Sequence, residues 1–201
     1  FYCKKYDETY GINLTKWENI LLRKNRSLQK YRWSIKKLES LGKLEFIENI
    51  DDLEEKKKII NQLIFWKKKS KNKFNFLKSF SDNFYINFVD YEDIQISGLK
   101  LNYDYIALSF GLKFNNNYFY LVPSYKLEKN IVKYSPGKIL MIELINFFHK
   151  NNFKYFDFCN GKEKYKKEWS DSKIDMKIYI ESLSIKGFFL KLFYKLKYMR
   201  S

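Results

Sequence analysis

The sequence predicts an α/β fold, and three observations carry that expectation. Residues 106–114 alternate, with Ile106, Leu108, Phe110, Leu112 and Phe114 on one side and Ala107, Ser109, Gly111 and Lys113 on the other, which is the two-residue period of a strand. Residues 136–150 instead space their apolar side chains helically, from Ile139 and Leu140 to Phe147 and Phe148. Glu143, Asn146 and Lys150 form one narrow polar stripe on that helix, so most of it must be buried against a sheet. Alternation then returns at 155–159, where Phe156 and Phe158 face one way and Tyr155, Asp157 and Cys159 the other.

Taken in order, Thr15 with Glu18 three residues later reads as a capping box. Residues 23–37 read as an amphipathic helix. Arg23, Arg26, Lys30 and Lys37 make its cationic stripe, Leu28, Tyr31, Ile35 and Leu38 its apolar one, and Gly42 is expected to close it in a left-handed cap. Asp51, Asp52, Glu54 and Glu55 open a second helix that turns Ile59, Ile60, Leu63 and Ile64 inward, and another helix is expected around Phe74 to Val89. Asn115-Asn116-Asn117 turns the 106–114 strand back into an aromatic strand, Tyr118 to Val122.

Ser135 is expected to cap the long helix, since its hydroxyl can accept from a first-turn amide while Pro136 at the first helical position loses no useful donor. Lys138 occupies the place where a capping box has Glu or Gln, so its charge opposes the positive end of the helix dipole. Free amides at Gly137 and Lys138, the dipole and the ammonium group would together suit a phosphate or pyrophosphate, whereas the plain alternative is a Ser-Pro helix start with a solvated lysine. Asn160-Gly161 ends the 155–159 strand, residues 162–169 read as a short helix, and Ile174 to Leu183 as a late strand. Without an internal repeat or linker, residues 1–185 read as one domain and 186–201 as a basic amphipathic tail.

The order Ser135-Pro136-Gly137, apolar helix, Phe156-Asp157-Phe158, Gly161, Glu163, Tyr165-Lys166 and Trp169 resembles the acetyltransferase domain of the CelD/BcsL type, a branch of the GNAT superfamily also called BioF-two-like. Upstream, Arg26 in Lys24-Asn25-Arg26-Ser27-Leu28, then Leu38-Glu39, Gly42 and Phe65-Trp66, extend the resemblance, which runs from Trp17 to Ile180. It implies a GNAT-like mixed sheet with added N-terminal helices, in which a split between adjacent strands admits the pantetheine of acyl-CoA, with acetyl-CoA as the type donor. The pyrophosphate would lie on Tyr134, Ser135, Gly137 and Lys138. Fem-type transferases, which use aminoacyl-tRNA, and other GNAT-like aminoacyltransferases of peptidoglycan or lipid share the outline. The usual GNAT loop is richer in glycine and begins with Arg or Gln; this one has a single glycine, and that departure makes a charged tRNA the second donor reading.

Composition bounds the partners. The chain has 201 residues, 45% hydrophobic and 20% aromatic, enough for one compact core. Its 39 Lys and Arg against 23 Asp and Glu give a net charge of +16, which favours a nucleotide cofactor, tRNA, a phospholipid or a lipid-linked sugar. Part of that excess follows a general richness in Lys, Asn, Ile, Phe and Tyr. Cys3 and Cys159 supply neither a disulfide framework nor metal-ligand spacing, so no metal is expected and a reducing cytoplasm is the default. No apolar run approaches the ~20 residues of a membrane span, although the tail, with Phe189, Leu192, Phe193 and Leu196 beside Lys191 and Lys195, would suit the inner membrane surface.

GNAT chemistry requires an acceptor held near the thioester, a base and an oxyanion donor rather than a protein nucleophile. Asp157 and Glu163 are candidate bases, Tyr165 a candidate acid or oxyanion donor, and Lys166 a candidate phosphate partner. Arg23, Arg26 and Lys30 are candidate acceptor-binding residues, arginine being suited to bidentate phosphate contact. His149, near the end of the long helix, and Cys159, with no evident histidine partner, read as structural. The leading expectation is acyl transfer from acyl-CoA to a sugar, lipid-linked glycan or other cell-envelope precursor, as in polysaccharide biosynthesis. Aminoacyl-tRNA-dependent transfer and a non-enzymatic nucleic-acid or membrane-binding module are the alternatives.

Overall fold

The computed structural model describes residues 2–70, 83–161, 163–181, 183, 184, 186–189 and 192. In chain order it runs β1 (Tyr2–Asn13), a 3-10 turn (Leu14–Lys16), α1 (Trp17–Arg23), α2 (Asn25–Glu39), β2 (Leu44–Ile47), α3 (Leu53–Lys69), α4 (Asn83–Ile86), β3 (Ile94–Leu101), β4 (Asp104–Phe114) and β5 (Asn117–Tyr125). It continues through α5 (Lys129–Val132), α6 (Pro136–Lys150), β6 (Tyr155–Asn160), α7 (Lys164–Trp169) and β7 (Ser172–Ile180). The strands form one seven-stranded sheet in the order β2-β3-β4-β5-β6-β1-β7, antiparallel throughout except for β5 and β6. A parallel pair needs a crossover, and α6 supplies it.

The sheet is covered on both faces, as the apolar character of α6 requires. On one face α1, α2 and α6 pack over Tyr118, Tyr120, Phe156 and Phe158, with Tyr118 stacked on Phe148 at 4.0 Å between ring centroids. On the other, α3 and the segment around α4 bury Ile59, Ile60, Leu63, Ile64, Tyr85 and Val89 against Ile96, Leu108, Phe110 and Val122. Removing so many large side chains from water is the main favourable term in folding, at about 1.5–3 kcal/mol for each fully buried one.

Many local expectations hold. Asp52 caps α3 by accepting from the Glu55 amide at 2.7 Å. Asn115 and Asn116 both adopt positive φ, +48° and +59°, as a tight two-residue hairpin between β4 and β5 demands. The polar stripe of α6 is spent on the helices above it, Glu143 accepting from the Tyr31 hydroxyl and Asn146 from the Trp17 indole at 2.8 Å.

Others are corrected. Asn13, not Thr15, caps the first turn, since its Oδ1 takes both the Thr15 amide at 3.0 Å and the Thr15 hydroxyl at 2.7 Å. The helix expected across 23–37 breaks at Lys24, so Arg23 ends α1 while Arg26, Lys30 and Lys37 ride on α2. Gly42 does not form a left-handed cap; α2 ends with Ser40 in the right-handed region, and Gly42 leaves room for the Asn102 side chain. Of the helix expected at 74–89 the described part is α4, and residues 71–82 lie outside the described residues. The last strand spans Ser172–Ile180, and of the tail's apolar face Phe193 and Leu196 lie outside the described residues. A register shift places Ile106 with the α6-side core, opposite Leu108 and Phe110, because an extra residue in a strand reverses the alternation beyond it.

Candidate active site

The site begins with a second bulge. Between Phe110↔Val122 and Leu112↔Phe119, β4 advances two residues and β5 three, so Tyr120 and Leu121 share one partner position. A bulged strand bends and its pairing is interrupted. On its other side, β5 pairs with β6 only at Asn117↔Tyr155, Tyr118↔Phe156 and Phe119↔Asp157, after which the parallel strands part. Pro123 lies in the stretch of β5 that has no β6 partner, where a missing amide costs no ladder bond. Its carbonyl is taken by the Lys67 ammonium from the end of α3 at 3.1 Å.

The parting strands open a cavity of about 690 Å³. Tyr120, Pro123, Ser124 and Tyr125 of β5 form one wall, Glu163 and Tyr165 the other, Lys67 and Ser70 the α3 side, and Ser135, Gly137, Lys138 and Met141 of the α6 start the mouth. The site is therefore aromatic and apolar in its depth, with a few polar groups aimed inward. Burial raises the phenols of Tyr120 and Tyr165 well above the ordinary tyrosine range, so both enter as neutral hydrogen-bond donors. Burial also lowers the Lys67 ammonium, opposed by Glu163 and assisted by Lys166.

At the mouth, Ser135 is left-handed, φ +54° and ψ +57°, and its side chain makes no cap bond. The expected hydroxyl cap requires extended backbone at that position, which the turn from Val132 denies it: the Ser135 amide bonds the Val132 carbonyl at 2.9 Å. The Lys138 amide is likewise not free, since it bonds the Ser135 carbonyl at 2.9 Å, while the Gly137 amide finds no acceptor among the described residues. A Cβ at Gly137 would stand 3.0 Å from the Tyr125 ring, so the glycine keeps this mouth open. Tyr134 packs beside it against Trp33, with ring centroids 5.7 Å apart. The Lys138 ammonium pairs with Glu168 at 3.1 Å and lies 5.3 Å from the Trp169 ring centroid. Burial alone would raise the Glu168 carboxyl, but the Ser27 hydroxyl at 2.7 Å and Lys138 outweigh it and hold the group below the ordinary glutamate range.

The four candidates around 157–166 are brought together but do different work. Asp157 is buried and does not line the cavity, its Oδ1 accepting from the Thr9 hydroxyl at 2.6 Å and the Cys159 amide at 2.7 Å. Cys159, in left-handed backbone at φ +58°, has its thiol pushed up to about 12 by burial and by Asp157, with Lys166 opposing. Lys166 is buried and donates to the Asn160 carbonyl at 2.6 Å and to the Cys159 carbonyl at 3.5 Å, closing the end of β6. It also meets Glu163 Oε2 at 3.1 Å, an oxygen that receives no well-aligned hydrogen bond among the described residues. Gly161, at φ +128°, makes this possible, because any Cβ there would collide with Glu163 and Lys166.

Arg23, Arg26 and Lys30 are exposed on the outer side of α1 and α2. Arg23 donates to the Asn19 carbonyl of its own helix at 3.3 Å. Lys30 borders a cavity of about 100 Å³ that it shares with Ser27, Tyr134, Ser135 and Lys138, so of the three it alone approaches the mouth of the cleft. His149 lies 2.9 Å from the Leu14 carbonyl through Nδ1, a structural contact remote from the cleft. Sequence reasoning missed Lys67, Tyr120, Ser124 and Tyr125. Phe65-Trp66 beside Lys67 was the nearest signal, and the proline within an aromatic strand was the trace of the split.

A family model described as an acetyltransferase (GNAT) domain matches residues 24–167. Among solved structures the chain is similar to FemX, with a TM-score of 0.62 and 12% identity over 87% of this chain and 61% of that one. It is similar also to a conserved protein of unknown function from Bacteroides thetaiotaomicron VPI-5482, with a TM-score of 0.58 and 13% identity over 88% of this chain and 60% of that one. At such identities the likeness is one of fold, and the chain spans about three fifths of the length of either structure. No curated protein matches it.

Proposed function

The chain belongs to the acetyltransferase (GNAT) family, and from that premise we propose that its sheet split receives the pantetheine arm of an acyl-CoA and hands the acyl group to an amine or hydroxyl of a cell-envelope precursor, in the manner of the CelD/BcsL branch. The observation that carries this reading is the parallel pair β5–β6, joined at three positions and then opened by a bulge into a 690 Å³ cavity. In an edge the bulge has freed, backbone groups of β5 can pair with an extended amide-bearing arm as a missing strand would. The donor phosphates lie at Tyr134, Ser135, Gly137 and Lys138, where the Gly137 amide supplies a donor.

In the transfer the acceptor's nitrogen or oxygen attacks the thioester carbon, the C–S bond breaks, the acceptor loses one proton and the CoA sulfur gains one. Glu163, on the cavity wall, takes the acceptor proton, and the neutral Tyr165 phenol donates to the oxyanion or the leaving sulfur. Asp157 and Lys166 act as positioning residues through the turn after β6. Lys30, at the mouth, meets the anionic part of the acceptor, and Arg26 and Arg23 farther out draw that charge toward it.

A second donor reading, aminoacyl-tRNA in the Fem manner, is favoured by one feature, the loss of the Lys138 amide to Ser135, which leaves a thin pyrophosphate cradle. Titration calorimetry with acetyl-CoA and with charged tRNA separates the two. Acetyl-CoA should bind the native chain and not Gly137→Val, with unfolding midpoints alike, and Glu163→Gln should retain donor affinity while losing turnover. Binding of charged tRNA with no heat from acetyl-CoA would replace the first reading by the second.

A further inference from the structure

Three features gather on the outer face of α1 and α2. The first is charge. Arg23, Arg26, Lys30, Arg32, Lys36 and Lys37 are exposed, and none has a carboxylate within ion-pair distance among the described residues. Over residues 17–39 the acids are Glu18 and Glu39 alone. The second is exposed apolar surface. Trp33 is 50% exposed, and the positions three and four residues away on the same helix are Gln29, Lys30, Lys36 and Lys37, so the indole stands among ammonium groups. Leu22, at the break between the two helices, is 79% exposed. The third is a groove of about 420 Å³ between α1, α2 and α6, with Leu22 and the core-packed Leu21 and Leu28 on its apolar side and Asn25, Arg32 and Asn146 on its polar side.

Single exposed apolar residues are ordinary on protein surfaces. An exposed tryptophan among three lysines, an exposed leucine near the helix break and a groove edged by arginine form a different composition. Cations meet anionic headgroups, an indole rests at headgroup depth, and an exposed leucine reaches the acyl boundary. We infer that the α1–α2 face is a peripheral docking surface for a bilayer containing anionic phospholipid. A nucleic acid would engage the same cations and could stack on Trp33, but it offers nothing to Leu22, whose side chain is exposed, whereas Leu21 and Leu28 pack on the core. Leu22, together with an indole suited to headgroup depth, favours the bilayer. Trp33 also rests on Tyr134, so the docked face adjoins the mouth of the cleft. The surface shares Arg23, Arg26 and Lys30 with the proposed acceptor contact, so its test uses Lys36 and Lys37, and it stands whichever donor the cleft takes.

The test uses the full chain with vesicles of phosphatidylcholine alone or of phosphatidylcholine with phosphatidylglycerol. Trp17, Trp66 and Trp169 are buried, so a blue shift of tryptophan emission on adding vesicles reports Trp33. The shift is expected with phosphatidylglycerol and not without it, and Trp33→Phe should still sediment with the vesicles but lose the shift. Each surface cation near anionic lipid strengthens binding about fivefold, so Lys36→Ala combined with Lys37→Ala should weaken partitioning about 25-fold. Both positions are exposed and the change leaves the fold intact, which circular dichroism checks. Leu22→Ser should weaken it as well. Partitioning unchanged in the Lys36/Lys37 variant would move the contact to another surface, such as the basic residues 186–201, and overturn the proposal. So would an absence of partitioning, or binding of an RNA oligonucleotide without it.

Discussion

Lys166→Met should destabilise the chain by about 3 kcal/mol, because truncating one member of a buried ion pair costs about 3–5 kcal/mol and water reaching Glu163 from the cavity trims the figure. The structure supplies the components. The lysine side chain is 5% exposed and Glu163 23%, the two meet at 3.1 Å, and the ammonium also binds the Asn160 carbonyl at 2.6 Å. Methionine keeps the aliphatic stem but leaves that carbonyl without its donor and the carboxylate without its 3.1 Å counterion, with only the more distant Lys67 left to balance it. For a chain of this size about 3 kcal/mol lowers the melting temperature by roughly 6–12 °C. Urea unfolding followed by tryptophan emission measures the loss. The double variant with Glu163→Gln should recover part of it, since the carboxylate is then no longer charged and alone, and the cycle of four proteins gives the coupling. A loss below about 1 kcal/mol, or strictly additive single effects, would refute the view that Lys166 is built into the turn after β6.

Three further outcomes follow from other contacts. Ser135→Gly should stabilise the chain by about 0.5–1 kcal/mol in urea unfolding, because the serine is held left-handed with no cap bond in return. A destabilised variant would mean that the hydroxyl has a partner. The Glu168 carboxyl is held low when folded, so the stability it contributes is complete above the ordinary glutamate range and is lost as pH falls through the folded value. Lys138→Met should therefore differ from the native chain at neutral pH, and the difference should shrink in acid; growth in acid would contradict the pairing. In a Cys3→Ser background, Cys159, pushed up to about 12, should react with iodoacetamide at pH 8 about a hundredfold or more slower than a free thiol, until the chain unfolds. Alkylation of the native chain at the rate of a free thiol would show that burial does not control it.

What the sequence determined by itself is what short-range chemistry dictates. The span of α6 is legible because a proline, a run of large apolar residues and one polar stripe are all contained in fifteen positions. The Asp52 cap and the Asn115-Asn116 turn are local for the same reason, each settled within four residues. The motif from Phe156 to Trp169 was legible as a family resemblance, and of its residues Glu163, Lys164 and Tyr165 line the cavity while Asp157 and Lys166 do not. The late strand is expected over Ile174 to Leu183 but β1 is not, because its Thr9, Tyr10, Gly11 and Ile12 are all buried and do not alternate; in β7 Lys173, Ile174, Asp175, Met176 and Lys177 are all exposed and do not alternate either. In β3 the signal is lost the other way, because Gln95 and Ser97 are buried and bond the Glu48 carbonyl at 2.8 and 2.6 Å, and polar residues there do not mark an outer face. The tertiary structure alone decided the site. The bulge at Tyr120-Leu121 exists only relative to the register of β4, and the split only relative to β6. Lys67 reaches Pro123 across 56 positions of chain. Register and long-range approach are properties of paired strands and packed helices, so no window of the sequence contains them.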